Sequence, residues 1–97
     1  MRRSKLERYF DILEILAQAH NFGSQKPLKL IQLMHKTGLK QDVLKQHLDF
    51  LMQQSLVEEQ NLGKDKIFYD ITERGLMVLY VVAPIIEEVH KIPASPQ

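Results

Sequence analysis

Between Gln25 and Tyr69 the apolar pattern changes period at places that leave few folds open. A short helical pattern, Leu30-Ile31-Gln32-Leu33-Met34-His35-Lys36-Thr37, stops at Gly38-Leu39-Lys40. A longer amphipathic pattern follows at once, Gln41-Asp42-Val43-Leu44-Lys45-Gln46-His47-Leu48-Asp49-Phe50-Leu51. Two β-rich runs come next, Leu56-Val57-Glu58-Glu59-Gln60 and Lys66-Ile67-Phe68-Tyr69-Asp70-Ile71, joined by Asn61-Leu62-Gly63-Lys64-Asp65. Gly38 stands where a helix ends on a left-handed residue, and Leu39 can supply the apolar contact that seals such a cap.

Helix, tight glycine turn, helix, hairpin is the order of a winged helix-turn-helix. That motif sets its second helix in a DNA major groove with a hairpin beside it. The expected fold is therefore α+β and mostly helical, with a three-helix core, a β-hairpin wing and a C-terminal helix. Residues 1–75 form the winged helix-turn-helix domain in this reading. Residues 76–92 form a C-terminal dimerisation helix within the same compact unit, and 93–97 a disordered tail.

Ninety-seven residues, 44% of them hydrophobic, suit one domain large enough to bury a working core. No cysteine is present, so disulfide and thiolate chemistry are excluded. Met1-Arg2-Arg3-Ser4-Lys5 leads directly into a charged helix without the apolar block of a signal peptide, which makes the cytoplasm the default location. A net charge of +1 argues against an indiscriminate basic coat for nucleic acid. Its distribution is uneven: residues 1–50 hold nine Lys and Arg against five Asp and Glu, and residues 51–97 hold four against seven. An anion-facing surface and an ordinary mixed exterior are both compatible with that asymmetry.

Ser4-Lys5-Leu6-Glu7 reads as a capping box opening a helix from Lys5 to about His20. Leu6, Tyr9, Phe10, Leu13, Leu16 and Ala17 share its main apolar face, and Ile12, Ile15 and Ala19 lie off it. Asn21 to Lys26 is a loop by composition, and Pro27 suits the start of a short edge strand at Leu28-Lys29. The third helix spans about Gln41 to Gln54, with Val43, Leu44, Leu48 and Leu51 inward. Thr72 caps the fourth helix, and Glu73 suits its positive end. Leu76 to Ile86 is uncharged and too short for the roughly 20 residues of a membrane span, so no membrane partner is expected. Pro84 kinks this helix. Leu76, Leu79, Ala83 and Ile86 make one stripe, and Val78, Val82, Ile85, Val89 and Ile92 a second. A second apolar stripe needs a second partner or a deeply buried site, and self-association is the preferred expectation. Ile12, Ile15, Val78, Val82, Ile85 and Val89 are the dimer-interface candidates.

These segments resemble a known family. Arg3-Ser4-Lys5-Leu6-Glu7-Arg8-Tyr9, Asp11-Ile12-Leu13-Glu14, Pro27-Leu28-Lys29-Leu30, the run Leu44 to Leu51, Leu56-Val57-Glu58-Glu59 and Ile71-Thr72-Glu73-Arg74-Gly75 together look like the short archaeal winged-helix proteins that dimerise through a C-terminal helix. Regulators of the MarR and PadR types are more distant likenesses. The resemblance covers Arg2 to about Tyr80 and speaks for the fold more than for a biological role. It implies a homodimer on double-stranded DNA, acting as a transcription regulator or a small chromatin-associated factor. Two departures stand out: the 21–26 loop is longer than the family's usual connection, and the last helix is short and proline-interrupted. Arm length and half-site spacing therefore do not carry over.

The third helix is the candidate recognition helix. Gln41 and Gln46 can each bond an adenine edge, Lys45 can reach a guanine or a phosphate, and Lys40 lies where the chain crosses the backbone. Asp42 and Asp49 repel phosphate, although Asp42 can complement the helix dipole or accept from a cytosine amine. Lys64 and Lys66 flank the wing tip, and Arg2 and Arg3, with Lys5, form a basic N-terminal arm. Each of these is also compatible with a solvated surface position. His20, His35, His47 and His90 lack metal-ligand spacing, and His47 reads as a packed side chain. Ser4, Ser24, Ser55 and Ser95 sit in no nucleophile-elbow pattern, and no paired carboxylates or phosphate loop occur. Neither an enzyme nor a cofactor is expected. The rival from another class is a winged helix serving only as a protein-interaction module, favoured by the modest charge and the acids of the third helix.

Overall fold

The computed structural model describes residues 4–22 and 27–81, with the side chains of 21 and 22 left out. Helix α1 (Lys5–Phe22) precedes strand β1 (Leu28–Lys29), followed by α2 (Leu30–Thr37), α3 (Gln41–Gln53), β2 (Val57–Asn61) and β3 (Ile67–Ile71). A fourth helix, α4, occupies 73–81. The strands form one antiparallel sheet in the order β1-β3-β2. Leu28 faces Tyr69 in the register of β1, and Val57 faces Ile71 in that of β2. The result is the α+β, mostly helical winged helix that the sequence predicts.

Local chemistry fixes each boundary. The Ser4 amide donates to Glu7 Oε1 at 3.4 Å and the Glu7 amide to Ser4 Oγ at 3.2 Å, the reciprocal bonds of a capping box. At the end of α2, Gly38 adopts φ +74° and its N–H donates to the Met34 carbonyl at 2.8 Å. Thr37 Oγ1 donates to the Leu33 carbonyl at 2.7 Å and accepts from the Leu39 amide at 3.2 Å. These bonds satisfy groups that the helix end would orphan and turn the chain into α3 within three residues. The first turn of α4 is tied down as well. Thr72 Oγ1 accepts from the Gly75 amide at 3.0 Å and donates to the Ser55 carbonyl at 2.7 Å, and Arg74 Nε donates to the Gln54 carbonyl at 3.0 Å.

The core is built on Leu16, Leu33, Leu44, Leu48 and Leu51, each 1% exposed or less, and closed by Val57, Tyr69 and Ile71 of the sheet. Helix α1 departs from expectation at one edge of its apolar face and at its first turn. Ile12 is 0% exposed, so no surface remains on it for a second subunit, and its assignment to the dimer interface is corrected. The cause is that α1 touches α2, α3 and β3. The buried arc from Ile12 to Ala17 therefore spans about 140° at ~100° per residue, wider than one stripe. Leu6, expected inside, is 56% exposed in the first turn of α1, ahead of the first buried position, Ile12.

On α4, Leu79 is buried and Leu76 half-buried, as their stripe requires. Val78 is half-buried, and the exposed apolar residues are Met77, Tyr80 and Val81. They recur at helical spacing and form one outward face. Val82, Ile85, Val89, Pro84 and the tail lie outside the described residues.

Candidate nucleic-acid interface

Helix α3 is amphipathic in a way that divides labour between its faces. Leu44, His47, Leu48 and Leu51 are buried, whereas Gln41, Asp42, Lys45, Gln46 and Asp49 are exposed. Lys40 precedes the helix in extended conformation, φ −72° and ψ 156°, and its carbonyl accepts the Leu44 amide at 2.9 Å. No side chain caps this end. Asp42 Oδ1 accepts from the Val43 amide at 2.9 Å, so its carboxylate serves the positive end of the helix. Gln41, Lys45 and Gln46 thus stand exposed on the first two turns of α3, with Lys40 exposed immediately before them.

The tip of the wing is closed by hydrogen bonds of its own turn. Leu62 N–H donates to the Lys66 carbonyl at 2.9 Å, Lys66 N–H to the Gly63 carbonyl at 3.1 Å, and Gly63 N–H to Asn61 Oδ1 at 3.1 Å. Gly63 has φ +126°, a conformation that a side chain would strain. Lys64 and Lys66 are exposed around this turn. Arg2 and Arg3 lie outside the described residues.

Between α3 and the wing runs a groove lined by Leu30, Lys45, Asp49, Glu59, Ile67 and Tyr69. Burial pushes the Tyr69 phenol above its ordinary value, and the Glu59 carboxylate that accepts its hydrogen bond adds to the effect, with a smaller contribution from Asp49. Two carboxylates therefore share this groove with Lys45. The groove itself is not a cationic surface.

Sequence reasoning missed the contacts that seat α3 on α1. Tyr9 stacks on Phe50 at 4.6 Å between centroids and 16° between planes, and meets His47 edge-on at 5.1 Å. His47 is 5% exposed, and its Nε2 has no hydrogen-bond partner among the described residues. Burial lowers its pKa below the ordinary 6.5, and the charges of Arg8 and then Lys5 lower it further. His47 is accordingly a neutral core group. Its position on the border of the apolar face was legible, but its aromatic partners were not, because Tyr9 is 38 residues away in sequence. Among the described residues no three His, Cys, Asp or Glu side chains gather as metal ligands do. No helix among them is long and apolar enough to cross a membrane.

Comparison with known proteins agrees with this geometry. The zinc-responsive MarR family member ZitR of Lactococcus lactis is 17% identical and superposes with a TM-score of 0.65 over 91% of this chain and 56% of its own. RV1404 from Mycobacterium tuberculosis is 19% identical, with a TM-score of 0.65 over 90% and 60%. The reduced form of the transcriptional regulator YodB from B. subtilis is 19% identical, with a TM-score of 0.66 over 100% of both chains. The chain thus spans less than two thirds of the first two structures and all of the third. At these identities the likeness is one of fold. No curated protein matches the sequence. The family model described as winged helix-turn-helix matches residues 2–90, and the chain belongs to that family.

Proposed function

We propose that the protein is a homodimeric DNA-binding regulator of transcription. In this reading α3 lies in the major groove, Gln41 and Gln46 read base edges, and Lys45 reaches a base or a phosphate. Lys40, Lys64, Lys66 and the N-terminal Arg2 and Arg3 hold phosphates. The observation that carries the reading is the exposed surface of α3, where Gln41, Lys45 and Gln46 stand on a helix held to the core by Leu44, Leu48 and Leu51. Solved structures of the same fold include a transcriptional regulator, which supports the assignment by analogy. The exposed Met77, Tyr80 and Val81 of α4 support a subunit contact near the C-terminal helix, where Val78, Val82, Ile85 and Val89 were expected to act with Ile15.

A second reading rests on one specific observation. Asp49 and Glu59 line the groove between α3 and the wing, and carboxylates there oppose a polyanion. That surface suits a basic protein partner instead, with the winged helix as an interaction module.

Titration of variants on a selected duplex and a scrambled one separates readout from grip. Gln46→Ala should cost about 1–3 kcal/mol on the selected site and little on the scrambled one. Lys64→Ala and Lys66→Ala should weaken both equally and reduce the salt slope by about one unit per lost contact. Equal loss on both duplexes for Gln46→Ala would remove that residue from readout. Absence of duplex binding by the wild type would promote the protein-partner reading.

A further inference from the structure

A second and larger depression, of about 1260 Å³, opens where α1, β1, α2 and the wing meet. Its floor is apolar: Ile15 and Ala19 from α1, Leu28 from β1, Phe68 from β3 and Leu62 from the shoulder of the wing. Leu62 is 66% exposed, an apolar side chain left uncovered next to a turn that is otherwise polar. The rim is cationic or amidic, with Lys29, Lys36, Gln18, Gln32 and Gln60. No carboxylate is among the described residues that line it.

The two lysines are not equivalent. Lys36 also borders the adjoining depression, which Asp11 and Glu14 line. Lys29 Nζ sits 5.5 Å from the centroid of the Phe68 ring, placed by an aromatic face. Such an ammonium can take an anion without giving up a carboxylate. The Lys29 amide donates to Gln32 Oε1 at 2.8 Å, which leaves the Gln32 NH2 group as a donor at the same end of the groove.

We propose that this groove binds a small amphipathic carboxylate, with its head at Lys29 and Gln32 and its apolar body across Leu28, Leu62 and Phe68. Concave apolar walls with a few convergent polar groups are the general form of a small-molecule site. The charge of the rim selects an anion over a cation, and the uncovered Leu62 gains by burial under an apolar body. Occupancy would join the wing to α1 and α2 through one ligand. Any effect on DNA affinity rests on the function proposed above, whereas binding itself does not.

The test uses the full chain, isotopically labelled, titrated with sodium octanoate, with octanol and octylammonium as the neutral and cationic comparisons. Amide resonances of Lys29, Gln32, Gln60, Leu62 and Phe68 should move together and saturate with octanoate. Lys29→Gln should weaken binding about tenfold, as loss of one charge-assisted contact implies, and exposed Leu62→Ser should weaken it severalfold. Octylammonium should leave these resonances unmoved. Equal shifts from all three probes, shifts centred elsewhere, or unchanged affinity in Lys29→Gln would overturn the proposal. So would groove resonances that already change on dilution without octanoate, because a second copy of the chain would then fill the site. Loss of DNA binding with octanoate binding intact would overturn only the regulator reading.

Discussion

His47 shows how one residue couples α3 to the rest of the domain. It lies between Tyr9 of α1 and the body of α3, with one ring nitrogen buried and unpartnered. The unfolded chain takes up a proton at this residue near pH 6.5, while the folded chain resists it to lower pH because burial and then Arg8 and Lys5 disfavour the charge. Below that value the unfolded state binds more protons, so stability falls with pH. The contribution is fully present above the unfolded pKa and is lost as pH falls through the folded one. Denaturant melts at about pH 7.5 and 5.5 should show a larger loss for the wild type than for His47→Phe, which keeps the aromatic packing and removes the titration. Parallel losses would show that His47 is not the group responsible. The polar character of Gln41, Lys45 and Gln46 was legible from spacing alone. That Asp49 and Glu59 meet in one groove was not, because a strand register had to bring β2 beside α3.

Among the elements, α2, α3 and the hairpin were readable because their signals are local. Gly38 ends α2, and Gly63 turns the wing. Helix α1 was readable in extent and misread in face. Ile12, Ile15 and Ala19 looked like a free stripe, yet Ile12 is fully buried on a helix that touches α2, α3 and β3, while Ile15 and Ala19 are half-buried. Periodicity reports which residues are apolar and not how many partners surround them. Gly75 at the first turn of α4 makes the same point. A Cβ there would overlap the Leu56 carbonyl oxygen and press on the Ile71 side chain, so the helix can approach the start of β2 only with glycine at this position. Gly75→Ala should destabilise the fold by about 1–3 kcal/mol, the usual cost of overpacking, despite alanine's better helix propensity. A Gly75→Ala variant as stable as the wild type in a urea melt would mean that α4 docks less closely than described.

At the scale of the whole molecule, the open questions are what covers α4 and what meets α3. Met77, Tyr80 and Val81 expose more than 60% of their surfaces each, and this apolar face is the proposed subunit contact. Tyr80→Glu combined with Val81→Glu should convert the expected dimer to a monomer in light scattering while leaving the helical content intact. Monomeric wild type at high micromolar concentration would remove the dimer. For α3 the decisive feature is charge, because Asp49 and Glu59 beside Lys45 permit either a polyanion or a basic partner. Affinity for duplex DNA, followed by fluorescence anisotropy across a salt series, distinguishes them most directly. A chain that grips phosphates releases counterions, so log affinity should fall linearly with log salt, with a slope of about −0.9 for each phosphate neutralised. Removing Lys64 and Lys66 together should flatten that slope by about two units. No binding at low salt, or binding whose strength does not change with salt, would contradict a DNA-facing α3 and wing.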